Sequence, residues 1–261
     1  MDLQLNGDVA LCTAATSGLG LASAQSLASE GANVVVCGRL ESRLESARAQ
    51  LETAGSGDVR AIKADITDPD HAAALLDETV ETFGGLDHLV TSAGGPPSGS
   101  FLETPIDAWY DAYDLLVMSV VRMTREAYPY LKESDVGSIV NITSRSVREV
   151  IDDLVLSNAV RRAIIGLMQT QAREFAPDVR VNAVLPGAHE TARIEELIED
   201  AVDRGEYADY EAGYADWASD VPLGRIGDPQ ELGDVVAFLS SPRASFVSGA
   251  AVPIDGGSTR E

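Results

Sequence analysis

Short runs of apolar and β-branched residues alternate with longer helical patterns along the whole chain, and this rhythm restricts the fold more than any other feature. VALCT (9–13), NVVVC (33–37), VRAIK (59–63), HLVTS (88–92), GSIVNIT (137–143), VRVNAVL (179–185) and AAVPI (near 251–255) read as strands. Helical patterns fall between them at 18–30, 40–54, 68–83, about 106–131, about 157–176 and 230–240. Strands apolar on nearly every residue belong in a sheet covered on both faces. Strand–helix–strand units close through right-handed crossovers. The expected fold class is therefore α/β: a single doubly wound parallel sheet (Rossmann-type) of about seven strands with helices on both faces. No internal repeat or linker divides the chain, and 45% hydrophobic composition is enough for one large core, so 1–261 reads as one domain. One stretch breaks the rhythm. Residues 188–220 carry eleven carboxylates, several tyrosines and Trp217. They are expected to form short helices lying over the pocket as an acidic lid; a merely solvated excursion is the alternative.

The turn after the first strand reads Thr13-Ala14-Ala15-Thr16-Ser17-Gly18-Leu19-Gly20. Glycines there let main chain approach a pyrophosphate, and the following helix offers N–H groups and positive partial charge at its N-terminus. In open parallel sheets such a turn lies at the carboxyl ends of the strands, where ligands bind. Four further segments accompany it: Asp65-Ile66 after strand three, Ser92-Ala93-Gly94 after strand four, Pro186-Gly187-Ala188-His189-Glu190-Thr191 after strand six, and SFVSGAAVPIDGG (245–257).

Together these resemble the short-chain dehydrogenase/reductase family from about residue 5 to 257, and most resemble its 3-oxoacyl-(acyl-carrier-protein) reductase-like branch. The resemblance implies a dinucleotide held by Thr13, Ser17, Gly18, Leu19 and Gly20, with Asp65 and Ile66 at the adenine, Ala93 and Gly94 beneath the chain of the cofactor, and Pro186, Gly187 and Thr191 around the nicotinamide. Ala14 stands where the family has glycine, so a negative backbone angle is expected there. Ser92 stands where the family has asparagine. The second strand ends in VVVCGRLESR, with no Asp before Arg39. An arginine at that place grips a 2′-phosphate, so NADP(H) is expected over NAD(H); pairing of Arg39 with Glu41 or Glu45 is the plainer alternative.

The same resemblance locates the chemistry and shows it altered. Family members transfer a hydride to or from a carbonyl, with a serine on the oxygen, a tyrosine as proton donor, a lysine four residues on, and an asparagine on the preceding long helix. Ser144 matches the serine; Ser157, Arg161 and Leu116 stand at the other three positions. A phenol is tuned toward neutrality by a nearby cation, whereas an aliphatic hydroxyl is a far weaker acid. Arg161 stays protonated but its fork suits a ribose or an oxyanion. Ser144, Ser157 and Arg161 are thus the candidate catalytic residues. His189, Tyr207, Tyr210 and Tyr214 are candidate replacement donors; solvation for the histidine and packing for the tyrosines are the plainer readings.

Two main functions are open at this stage. One is an NAD(P)-dependent oxidoreductase acting on a small carbonyl or alcohol with atypical catalytic residues. The other is a catalytically silent cofactor-binding subunit or sensor. A third, non-redox chemistry of the halohydrin dehalogenase kind, sits badly with the retained glycine turn, Arg39, Asp65 and Pro186-Gly187-Thr191. The resemblance also implies a homodimer or homotetramer built on the helices around 106–131 and 157–176.

Charge narrows the setting. The net charge is −23, and only Lys63 and Lys132 are lysines. Such a surface repels nucleic acid and anionic membrane. Mutual repulsion of the carboxylates is screened only in concentrated salt, so a halophilic cytoplasm is expected. Cys12 and Cys37 lie in apolar runs and are expected as buried thiols. No metal-ligand spacing, no secretory signal and no membrane-length apolar run is read from the sequence.

Overall fold

A computed structural model describes residues 1–260. Seven strands, β1 (Val9–Cys12), β2 (Asn33–Gly38), β3 (Val59–Lys63), β4 (His88–Thr91), β5 (Ser138–Ile142), β6 (Arg180–Pro186) and β7 (Ala251–Ile254), form one sheet. Their order is β3-β2-β1-β4-β5-β6-β7 and every pairing is parallel, as the alternation requires. Sequence order reverses between β1 and β4, which opens a crevice at their carboxyl ends.

The helices are α1 (Gly18–Ser29), α2 (Glu41–Ala54), α3 (Pro69–Phe83), α4 (Ile106–Tyr113), α5 (Ser119–Glu133), α6 (Val155–Val160), α7 (Arg162–Glu174), α8 (Ala192–Asp203), α9 (Tyr210–Ser219) and α10 (Pro229–Ser240). Local chemistry explains several ends. Asp68 accepts from the Asp70 amide ahead of α3, and Gly84 closes that helix at φ +84°. Asp228 and Glu231 cap α10 reciprocally.

Strand residues alternate between two cores. Ala10 and Cys12 of β1, with Val34 and Val36 of β2, pack with α1, α2 and α10. Val9 and Leu11, with Val35 and Cys37, pack with α3, α5 and α7. Cys12 and Cys37 therefore face opposite layers as buried free thiols. Burial drives both thiols upward, Cys37 to about 11.

Two departures from the expected elements stand near the crevice, and the short helices expected over 188–220 are present. The helix expected over 106–131 contains a π turn, Asp114–Met118, between α4 and α5. Apolar periodicity runs straight through such a turn, so the pattern does not show it. The helix expected over 157–176 is interrupted at Arg161, which keeps helical dihedrals between α6 and α7. Residues 188–220 form α8 and α9, which share a small core of Ile194, Ile198 and Ile226 flanked by Tyr214 and Trp217.

Candidate active site

The turn that opens the crevice is held from beneath by Thr13. Its hydroxyl donates to the Ser92 carbonyl (2.8 Å) and accepts from the Ser92 amide (2.9 Å), tying the end of β1 to the end of β4. Thr13 is buried and does not line the cavity; these bonds position the turn. Ala14 adopts φ +46°, against the expected negative angle. A side chain thus occupies a left-handed position that favours glycine, and the sharp turn into α1 imposes it. Gly18, at φ +56°, follows in the same path. A Cβ on Gly20 would lie 3.0 Å from the Ala15 Cα, so a side chain there would push α1 back from the turn. Ser17 precedes α1 in extended conformation, and its hydroxyl makes no cap bond to the helix.

A cavity of about 340 Å³ runs from this turn across the carboxyl ends of β4, β5 and β6. Ser17, Gly18, Leu19, Gly20, Ala93 and Gly94 line one end, Ser144, Ser157 and Arg161 the other. Pro186, Gly187 and Thr191 form the side that leads into α8. Gly187 is required by contact: a Cβ there would meet the Asp255 Cβ at 2.7 Å. Arg39, Asp65 and Ile66 lie outside the cavity, past the ends of β2 and β3. Arg39 is exposed and forms no ion pair among the described residues, so the expected alternative of pairing with Glu41 or Glu45 is not what the structure contains. The Asp65 carboxylate accepts from the amide and hydroxyl of Thr67, and these bonds, with Arg39 nearby, hold it below its ordinary range.

Ser144 ends the β5 loop, where its Oγ accepts from the Ser146 amide at 3.1 Å while the residue still lines the cavity. Ser157 is buried, and its Oγ shares a hydrogen bond with the Ser146 Oγ at 3.0 Å. Arg161 donates to the Thr143 carbonyl at 3.3 Å. Burial, and secondly the charge of Arg193, brings it down to about 10, still protonated at neutral pH. Leu116 packs in an apolar cluster with Leu156, Val160 and Ile164, and its own side chain offers no polar atom to hold a water.

The expected replacement donors fare differently. His189 is buried rather than solvated, and lines the cavity with Nδ1 3.2 Å from the Gly187 carbonyl. Burial lowers its affinity for a proton, so the neutral ring donates from Nδ1 to Gly187 and has no second proton to give at neutral pH. Tyr207, Tyr210 and Tyr214 do not line this cavity. Tyr207 donates to Asp216 and Tyr214 to Glu190; these bonds raise both phenols, Tyr207 to about 12, the wrong direction for an acid.

The sequence reading passed over Arg145, Arg193 and Ser146. Arg193 looks like an ordinary i,i+3 partner of Glu196 on an exposed helix; its place two residues beyond Thr191 was the available signal. A second arrangement looks catalytic and is not: Ser138, His88 and Asp8 are hydrogen-bonded in line at 2.9 and 3.0 Å. Ser138 and His88 are fully enclosed at the amino end of the sheet, so no substrate reaches them.

A nicotinamide dinucleotide fits this setting on two grounds: the glycine cradle that a Cβ would fill at Gly20, and the uncapped start of α1 beside Ser17. Comparison with known proteins agrees. The family described as Enoyl-(Acyl carrier protein) reductase matches residues 13–259. The chain is 32% identical over 258 residues to the 3-oxoacyl-(acyl-carrier-protein) reductase FabG of Thermotoga maritima, covering 98% of this chain and 99% of that one. L-sorbose reductase from Gluconobacter frateurii, solved with NADPH and L-sorbose, superposes with a TM-score of 0.94 at 30% identity over 100% of both chains. A short-chain oxidoreductase of Pseudomonas aeruginosa PAO1, described as containing an atypical catalytic center, has a TM-score of 0.89 at 31% identity over 97% of this chain and 98% of that one. The chain belongs to the short-chain dehydrogenase/reductase family. It is an NAD(P)-dependent oxidoreductase of that type.

Proposed function

We propose that the protein interconverts a small carbonyl compound and its alcohol, with NADP(H) preferred over NAD(H). The carrying observation is the single cavity that joins the glycine turn at Gly18 and Gly20 to Ser144 and Arg161. A bound nicotinamide supplies or accepts the hydride. Gly18, Leu19 and Gly20 offer main chain to the diphosphate, with Ser17 beside them; Ala93, Gly94, Pro186, Gly187 and Thr191 flank the rest. Arg39, unpaired at the end of β2, meets the 2′-phosphate, with Asp65 and Ile66 near the adenine.

Ser144 donates to the carbonyl oxygen, and the Arg161 guanidinium favours the negative charge that develops on it. Ser157 is committed to Ser146 and braces the Ser144 loop. No phenol or ammonium lines the cavity, so the product oxygen takes its proton from water through the Ser144 hydroxyl. Residues 188–220 act as a lid, for which Ile194, Leu197 and Trp217 of α8 and α9 supply an apolar wall of the cavity.

Turnover of NADPH against a panel of ketones and aldehydes tests this reading. Ser144→Ala is expected to lower kcat about 100-fold. An unchanged kcat removes Ser144 from the site. Calorimetric titration is expected to show NADPH binding about tenfold tighter than NADH, with Arg39→Ala erasing the difference. A second reading, a catalytically silent cofactor-binding subunit, is favoured by the Ser157–Ser146 bond and by Leu116 in its apolar cluster. Nucleotide binding without any turnover would select it.

The setting follows the same reading. The carboxylate-rich surface fits a salt-rich cytoplasm. Leu102, Ile106, Tyr110 and Tyr113 are exposed along and just before α4, which fits burial in a homodimer or homotetramer. No helix among the described residues is long and apolar enough to cross a membrane.

A further inference from the structure

The cavity is charged opposite to the molecule around it. The chain has 42 acidic and 19 basic residues, yet among the described residues no Asp or Glu lines the cavity. Its acid–base side chains are Arg145, Arg161, Arg193 and His189. Arg145 is paired with Glu149. Arg193 reaches from the first turn of α8 to the Pro96 carbonyl (2.9 Å) with Nη2, and to the exposed Glu196 (2.7 Å) with Nη1. Arg161 has one acceptor, the Thr143 carbonyl, and no ion pair among the described residues. Pro96 and Thr143 follow adjacent strands, β4 and β5, and both guanidiniums line the one cavity, where the charge of Arg193 bears on Arg161. A guanidinium offers five N–H donors in a planar fork. Arg161 faces this space with no counter-charge, and the one counter-charge of Arg193 is the solvent-exposed Glu196, so an anion inside the cavity completes the arrangement. The wall beyond is apolar: Ile151, Leu154, Ile194, Leu197 and Trp217.

We propose that the substrate carries a carboxylate, held between Arg161 and Arg193, while its carbon body lies against Leu154, Leu197 and Trp217. This rests on the hydride-transfer reading above and names the class of ketone or alcohol it acts on: 2-oxo- and 2-hydroxy-acids with an apolar body, in which the carboxylate adjoins the reacting oxygen and one Arg161 fork spans both. Arg193 is then the residue that determines specificity. The dinucleotide's diphosphate has the same chemistry and is the competing source of the anion.

The test is calorimetry with 4-methylpentanoate and its isosteric amide, with and without saturating NADP⁺. In the NADP⁺ complex the acid is expected to bind about tenfold tighter than the amide. Arg193→Met or Arg161→Met abolishes the preference and Arg193→Lys restores part of it, while Arg193→Met leaves the Kd for NADP⁺ within about threefold. Equal binding of acid and amide overturns the proposal. So does displacement of the acid by NADP⁺, because the arginines then hold the diphosphate. Failure to bind NADP⁺ at all sinks hydride transfer separately; the acid–amide comparison on the nucleotide-free protein still decides this proposal, since an arginine-dependent preference upholds it and none overturns it.

Discussion

Ala14 holds φ +46° in the turn that aims α1 at the crevice. A left-handed alanine costs about 1 kcal/mol. Glycine relieves that strain but adds freedom to the unfolded chain, so Ala14→Gly is expected to raise stability by about 0.5 kcal/mol. A urea midpoint that falls instead would mean the turn does not impose the angle. His189 predicts a pH dependence whose sign follows from burial. Its folded-state pKa is lowered, so below about 6.5 the unfolded chain binds a proton that the folded one refuses. Stability therefore declines as pH drops through 6.5 and stops declining on this account below the folded pKa. His189→Gln is expected to flatten the thermal midpoint between pH 5 and 7; an unchanged slope would show that another group titrates there. Both residues illustrate what sequence reading does at this scale. It picked out Ala14 and His189 as unusual, but a backbone angle and a residue's burial are set by segments far away in the chain.

Helix placement fixes the site, and α1 is the central case. It packs against α10, where Ser26 donates to Asp234 at 2.9 Å. A Cβ on Gly233 would come within 2.5 Å of the Ala22 carbonyl oxygen, which is main chain and cannot swing aside. Gly233→Ala is expected to cost about 1–3 kcal/mol by forcing the helices apart. It should also weaken nucleotide binding, because α1 carries Gly18 and Gly20. A variant with unaltered thermal midpoint would show that the helix pair yields freely. The strands and caps at this scale were legible: strand runs matched to within a residue or two, and Asp68-Pro69 and Gly84 marked the ends of α3. The π turn at Asp114–Met118 and the break at Arg161 were not, since the same apolar spacing serves a regular helix and an interrupted one.

For the molecule as a whole, the net charge of −23 sets the conditions of stability. Carboxylate repulsion acts over about 10 Å at 0.1 M salt and about 3 Å at 1 M. Thermal stability is therefore expected to rise steeply from 0.1 to 2 M KCl; a flat profile would remove the halophilic reading. In the same high salt, where repulsion is screened, acid unfolding reports bonded carboxylates. The Arg225 side chain, with the Asp228 amide, holds Glu231 down to about 2, and the turn after Asp65 holds that carboxylate low as well. Their contributions are present above the ordinary carboxylate range and are lost as pH falls through the folded values.

Taken by itself, the sequence determined the layered parallel sheet, the glycine turn and the order of motifs along the strand ends, because period and turn chemistry are local properties. Resemblance to the family, rather than any local property, is what brought Ser144, Ser157 and Arg161 together as one candidate site. Only the tertiary structure decided that Thr13 ties β1 to β4, that Ser157 is tied to Ser146, and that Arg193 and Arg161 line one cavity. Those facts depend on which loops meet at the carboxyl ends of β4, β5 and β6, and the meeting is made by packing between segments distant in sequence.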